Sequence, residues 1–278
     1  MSNTLIIDTS FGSTVGIVGH EPIVETDSRT HVERLQVNIA KVVEAAGLQP
    51  SDINRVVVGV GPAPFTGLRA GLVAAKAIAL AKNAQILGCD SLLPQSLMMR
   101  SGAFEEAVKN GVICKDLLLN IPDSVDSVDS CDSNIRHYVL SLNDARRRQV
   151  YMSLYDDEGN ALINMDIDYP QNVVTRVNEY LASENCENYC VDVLGHGAKK
   201  YVEDWRNIAH IGVIAEVSAL DLGVQGLQIF EQCSLECANK DEHVKAVEPL
   251  YLRRPDVSVP NPLKHVLGSG EANKSKEK

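Results

Sequence analysis

Nothing in this sequence reaches the ~18 consecutive apolar residues that cross a membrane as a helix. The most apolar stretch, Val56 to Leu68, is interrupted by two prolines and four glycines or alanines. The opening residues, Met1-Ser2-Asn3-Thr4, have neither the basic region nor the apolar stretch of an export signal. An excess of positive charge is missing too. Basic side chains number 26 against 37 acidic ones, a balance of −11 that argues against a broad phosphate-neutralising surface for holding nucleic acid alone. Metal-site spacings are absent: the seven histidines form no His-x-x-x-His or His-Glu-x-x-His, and no cysteines stand as Cys-x-x-Cys. No Gly-Lys-Ser/Thr makes a P-loop. Seven cysteines, an odd number without an export signal, fit a reducing cytoplasm rather than a disulfide framework. The expected location is cytoplasmic, without a membrane.

What is present is 45% hydrophobic and 23% charged residues in a 278-residue chain, enough to bury one large core or two smaller ones. Leu5-Ile6-Ile7 and Val15 to Val18, split by small polar residues, predict a hairpin. From Thr30 the period changes. Val32, Leu35, Ile39, Val42 and Ala46 mark one face of a helix, with Thr30 and Glu33 at capping-box spacing and Gly47 as its stop. Val56 to Val60 is too continuous for a half-exposed strand and predicts one covered on both faces. A helix from Thr66 to Lys82, with Thr66 as its cap, and a strand at Ile86-Leu87-Gly88 follow. Strand patterning resumes at Tyr138 to Leu142, Val150 to Tyr155 and Val191 to Leu194, and Ala215 to Cys237 is helix-periodic. Residues 123 to 134 repeat a tripeptide four times (Asp-Ser-Val twice, then Asp-Ser-Cys and Asp-Ser-Asn), polar, acidic and without an apolar face, which predicts a mobile insertion.

The most informative block is Val58 to Gly71, where a strand ends in Gly61-Pro62-Ala63-Pro64-Phe65-Thr66-Gly67. Free amides at a helix start attract anions, so Gly61, Thr66 and Gly67 are candidate phosphate contacts, joined by Asp8 and Thr9 at the first strand's end. The bland alternative is a rigid strand-to-helix connection, and the two prolines remove donors. In the helix beyond, Gly67, Gly71 and Ala75 lie four apart and would let another helix approach closely, or would pack on the protein's own sheet. Arg146-Arg147-Arg148 beside Asp144 reads as an exposed turn, with Arg146 and Arg147 as candidates for contacting RNA or an acidic partner.

These residues in this order resemble a known family. Leu5 to Ser10, the helix opening at His31, Gly61-Pro62-x-x-Phe65-Thr66-Gly67-Leu68-Arg69-x-Gly71, Asp144-Ala145-Arg146 and Pro249-Leu250-Tyr251-Leu252-Arg253 are similar to the bacterial TsaB (YeaZ) family. The resemblance covers about residues 3 to 254. It departs at Ala63 and Pro64, where the family commonly has Gly-Ser, and in the Asp-Ser insertion.

The resemblance implies an α/β, actin-like (RNase H-like) fold in two lobes. It implies a role in forming N6-threonylcarbamoyladenosine at A37 of tRNAs that read codons beginning with A. In that family TsaB is the non-catalytic subunit, TsaD transfers the group with a bound metal, and the ATPase TsaE binds the pair. The place of TsaD's metal histidines is taken here by Asp90-Ser91-Leu92-Leu93-Pro94-Gln95. The resemblance therefore implies no catalytic residue and no metal, with ATP or ADP expected only within the complex and tRNA met only through it. It also puts the partner interface on the first lobe's two helices, at Val32, Leu35, Ile39 and Val43 and at Gly71, Ala74, Ala75 and Ile78, and leaves a homodimer open when the chain is alone. The expected division is a first lobe over 1–102, a second over 103–212 with the insertion at about 121–135, a helix and strand over 213–254 returning to the first lobe, and a disordered tail over 255–278. The competing reading is an ATP-hydrolysing or phosphotransfer enzyme of the actin-like class that uses Asp8 and the glycine loops.

Overall fold

The computed structural model describes residues 2–27, 30–120, 135–184, 188–240 and 247–253, so the Asp-Ser insertion and the tail lie outside the described residues. Strands β1 (Thr4–Asp8), β2 (Ser13–Ile17) and β3 (Ile23–Glu25) form an antiparallel meander. Helix α1 (His31–Ala45) leads back to β4 (Arg55–Gly61), and α2 (Phe65–Lys82) to β5 (Gln85–Asp90), both strands parallel to β1. The sheet order is β3-β2-β1-β4-β5. The continuous apolar runs mean what their continuity implies. Leu5, Ile7, Val56 and Val58 pack beneath α1 and α2, while Ile6 and Val57 enter a second core on the opposite face.

Helices α3 (Leu93–Arg100) and α4 (Ala103–Lys109) then lead to the short β6 (Leu118–Asn120). The second unit repeats the first. It comprises β7 (Arg136–Asp144), β8 (Val150–Tyr155), β9 (Ala161–Asp168), α5 (Pro170–Ser183), β10 (Tyr189–His196), α6 (Val202–Trp205) and β11 (Ile211–Ala215). Their order is β9-β8-β7-β10-β11, with β6 antiparallel at the outer edge. Helix α7 (Val224–Lys240) returns to lie against β5, β1 and α3. The core between the sheets joins Ile6, Val57 and Leu87 from one to Val139, Leu194 and Ala215 from the other, through Leu97, Met98, Phe104, Leu227 and Phe230. This is a mixed α/β, actin-like (RNase H-like) architecture of two related lobes.

Five local expectations change. Helix α2 starts at Phe65 with Pro64 as its N-cap, so Thr66 sits inside the helix and caps nothing. Thr30 does precede α1, but its side chain makes no cap hydrogen bond. The periodic stretch from Ala215 begins as the end of β11 and a short 3-10 turn (Ala219–Leu222), and the helix itself starts at Val224. The expected division at 102 separates α3 from α4, which pack together, and that at 212 cuts through β11. Residues 247–253 form no strand. Their backbone meets the sheet where the Leu250 N–H donates to the Val60 carbonyl at 2.8 Å.

Candidate functional site

Two places are built for something other than packing: the cleft between the lobes and the outer face of α1 and α2. The cleft collects strand ends. Asp8 closes β1 beside Ser91, just beyond β5, and His196 closes β10 opposite. Asp8 is 5% exposed, and its carboxylate accepts from the Ser10 hydroxyl (2.5 Å) and the Ser91 hydroxyl (2.8 Å). Burial pushes its pKa up against those hydrogen bonds. A Cβ at residue 59 would collide with this carboxylate, so Gly59 is what lets β4 pass Asp8. From the other lobe His196 pairs with Asp221 at 3.3 Å and stacks its ring on Phe11 at 3.8 Å, roofing the cleft. The space left is about 30 Å³, room for about one water, against roughly 300–1,000 Å³ for a small-molecule pocket. Of the proposed phosphate contacts, Asp8, Thr9, Gly61 and Gly67 are buried and Thr66 faces solvent. Asp8 touches the cleft, and Thr9 packs beneath Gly71 instead. Ser91 joins two of them, donating its hydroxyl to Asp8 and its N–H to the Gly61 carbonyl at 2.9 Å.

The segments that carry the family resemblance, separated by up to 180 residues, do meet. Arg69 lies 3.8 Å over the Phe65 ring and donates to the Tyr251 hydroxyl at 2.8 Å, and Phe65 and Tyr251 are 5.1 Å apart. Tyr151 donates to the Ala63 carbonyl (3.3 Å), and Arg253 to Gln149 (2.5 Å). Residues 249–253 thus strap the glycine-proline loop to the β7–β8 turn. Arg146, Arg147 and Arg148 project from that turn, all exposed and all at positive φ.

The eight expected interface residues fare unevenly. Leu35, Ile39 and Val43 are 2%, 6% and 4% exposed, and Ala74 and Ala75 are 3% and 0%. Together with buried Gly71 they form the core under the helices, so the small-residue ridge serves the protein's own sheet, and only Val32 and Ile78 are half-exposed. Ile39, Val43, Ala74 and Ile78 still line an open groove between the two helices, and other residues add to that surface. Val73 is 67% exposed and Leu80 87%, with Ala77 and Ala81 beside them, and Val37 on α1 is 54% exposed. An open groove runs between Gln36, Ala40 and Glu44 on one side and Ala77, Ile78 and Ala81 on the other. The sequence signal was there. Helix α2 carries three charges in 18 residues and is apolar all round, a pattern one buried face does not require.

Strand pairing also brings together three residues that no sequence spacing marks. Cys190 of β10 lies directly opposite His137 of β7, and Asp192 follows on the same face. One ligand atom from each comes within 4.8 Å of the others. Ligands from parallel strands leave no short sequence motif.

Comparison with known proteins follows this geometry. Residues 18–106, which hold α1 and α2, match the family model described as TsaD, tRNA N6-adenosine threonylcarbamoyltransferase. Over 99 residues the chain is 40% identical to an uncharacterized protein of Mycobacterium tuberculosis, covering 33% of this chain and 47% of that one. The tRNA threonylcarbamoyladenosine biosynthesis protein TsaB of Escherichia coli is 26% identical over 134 residues, 48% of this chain and 45% of that one. The chain therefore spans less than half the length of these relatives. YeaZ from Pseudomonas aeruginosa has the same fold, with a TM-score of 0.59 at 18% identity over 91% of this chain and 100% of that one. No described helix is long and apolar enough to cross a membrane. The chain thus has the fold of YeaZ, and its sequence is similar to the TsaD family model over the first lobe and to a TsaB protein over about half its length.

Proposed function

We propose that this chain is a non-catalytic subunit of the complex that makes N6-threonylcarbamoyladenosine in tRNA, and that it binds a TsaD-type catalytic subunit through α1 and α2. The observation that carries this reading is the apolar outer face of α2, with Val73 and Leu80 at 67% and 87% exposure. It lies in the very lobe that matches the TsaD family model. A lobe shared by both proteins offers each the same pair of helices, and two like grooves can pack as a helix bundle across an approximate two-fold axis. The groove at Ala77, Ile78 and Ala81 is lined by small and aliphatic side chains, which suits close helix approach.

The small interlobe space supports the non-catalytic half of the reading, because a nucleotide needs roughly ten times that volume. ATP or ADP, TsaE and tRNA then belong to the assembled complex. Arg146 and Arg147 are the groups we assign to tRNA or to the partner's acidic surface, as they stand exposed on a protein of net charge −11.

The test is co-purification with tagged TsaD from the same cell. The doubly substituted V73R/L80R chain should lose binding and tRNA modification while keeping its circular dichroism spectrum. A folded variant that still binds with unchanged affinity would move the interface elsewhere, and ATP turnover by the purified chain alone would overturn the non-catalytic assignment. A homodimer of the isolated chain that dissociates with the same substitutions would mean that copies of the chain also use this face.

A further inference from the structure

The side chains of His137, Cys190 and Asp192 stand together on the face of the second sheet that looks toward α4, away from the cleft and from the α1–α2 surface. The His137 Nδ1 is 2.8 Å from Asp192 Oδ2 and 3.1 Å from Cys190 Sγ. A Cys–His–Asp nucleophile relay would place thiol and carboxylate on opposite ring nitrogens. Here both converge on the same nitrogen, with Nε2 at 3.8 Å from the sulfur. Three donors of different chemistry pointing at one spot describe a coordination site better than a proton relay.

The surroundings support this. The Asp192 side chain is 1% exposed, and its Oδ1 accepts from the Val213 N–H at 2.8 Å, which leaves Oδ2 aimed at the cluster. Gly212 on β11 makes the space, since a Cβ there would strike Asp192. The independent observation comes from α4. Glu105 Oε2 is buried without a hydrogen-bond partner among the described residues, a costly state for a carboxylate oxygen. It lies within electrostatic reach of Asp192 and His137, so a cation held by the cluster would offset its charge.

We propose that His137, Cys190 and Asp192 form a site for a divalent transition-metal ion of the Zn²⁺ class. One imidazole, one thiolate and one carboxylate, with the fourth position left to water, suit zinc, while a calcium or magnesium site would be all oxygen. Tetrahedral zinc with bonds of ~2.0–2.3 Å sets its ligand atoms about 3.3–3.7 Å apart. The observed 2.8 and 3.1 Å separations need only open by about half an ångström, as the ion replaces the proton shared between the groups. Bound there, the ion would cross-link β7 to β10.

The experiment uses the full chain, stripped with a chelator, dialysed into a phosphine reductant and titrated with ZnCl₂ alone. One equivalent should bind, raising the thermal midpoint. C190S and H137A should lose that equivalent and its thermal shift, and C114S, which removes an exposed cysteine elsewhere, should keep both. If C190S does not fold, wild-type chain loaded with Co²⁺ decides: a thiolate-to-cobalt charge-transfer band supports the site, and its absence sinks it. No uptake of Zn²⁺ by wild type, or equal uptake by folded H137A, also overturns the proposal.

Discussion

The two lobes share one strand order, β3-β2-β1-β4-β5 and β9-β8-β7-β10-β11, yet they cover their sheets differently. The first uses two long helices of 15 and 18 residues. Small side chains on α2 (Gly71, Ala74, Ala75) set it close to the sheet, and its outer face is left apolar. The second uses the 14-residue α5, whose outward residues Gln171, Asn172, Thr175 and Glu179 are polar, and the four-residue α6, which contributes one fully buried tryptophan. Both solutions seal the inner face. Of the covering helices, α2 leaves the more apolar outer face, with Val73 and Leu80 exposed, which is why the proposed contact with another protein is placed on the first lobe.

The largest effect should come from breaking the second lobe's substitute for a long helix. Trp205 is 0% exposed among Tyr138, Val191, Val193 and Ile214, and beside it α6 adds only the partly buried Val202 to that core. Trp205→Ala should cost ~3–5 kcal/mol in urea denaturation. A loss under about 1 kcal/mol would show that α5 alone closes this core.

Next in size is a pH effect at the seam between the lobes. Asp90, at the end of β5, accepts from the Leu92 N–H at 2.6 Å and from the hydroxyl of Tyr155 in the second lobe at 3.1 Å. Burial pushes its pKa up to about 6 despite those bonds. In the unfolded chain the group titrates near ~3.9. Its stabilising contribution is therefore fully present below that value, falls as pH rises through about 6, and then levels off. The total change is roughly 3 kcal/mol. Relative to wild type, Asp90→Asn should gain about that much between pH 4 and pH 7.5, measured as the difference in unfolding free energy. Parallel pH profiles for the two proteins would mean that Asp90 titrates normally.

Gly71→Leu should cost ~1–3 kcal/mol, because even a Cβ there lies 2.6 Å from Thr9 Oγ1 and a leucine would lift α2 off the sheet. At Gly71 the ridge packs on the protein's own sheet, one of the two readings that helix spacing left open. That choice shows how far the sequence could be read. Strand continuity at Leu5 to Ile7 and Val56 to Val58 announced a sheet covered on both sides, and the 3-4 stripe from Leu35 to Val42 announced a helix packed on it. Spacing alone could not say which side of α2 faces in, since apolar residues occupy both. The interlobe core was hidden for a similar reason. Helices α3 and α4, with eight and seven residues, are too short to establish a period, and β11 runs into a helix-like pattern at Ala215. The His137/Cys190/Asp192 cluster was invisible because strand pairing, not sequence distance, brings residue 137 beside residue 190.

The smallest effect is the one that tests whether α2's outer face is truly free. Val73→Lys and Leu80→Lys remove apolar side chains that are 67% and 87% exposed, so little burial is lost. Lysine also has slightly better helix propensity than valine and about equals leucine. Each should change stability by less than ~0.5 kcal/mol, the same as Thr175→Lys on the polar face of α5, which serves as the second lobe's control. Equality between the two lobes in stability, together with loss of TsaD binding only for the α2 variants, would separate a docking face from an ordinary surface. A cost above about 1 kcal/mol for Leu80→Lys would instead mean that another part of this chain packs over α2 in solution, and the groove would then belong to the fold rather than to a partner.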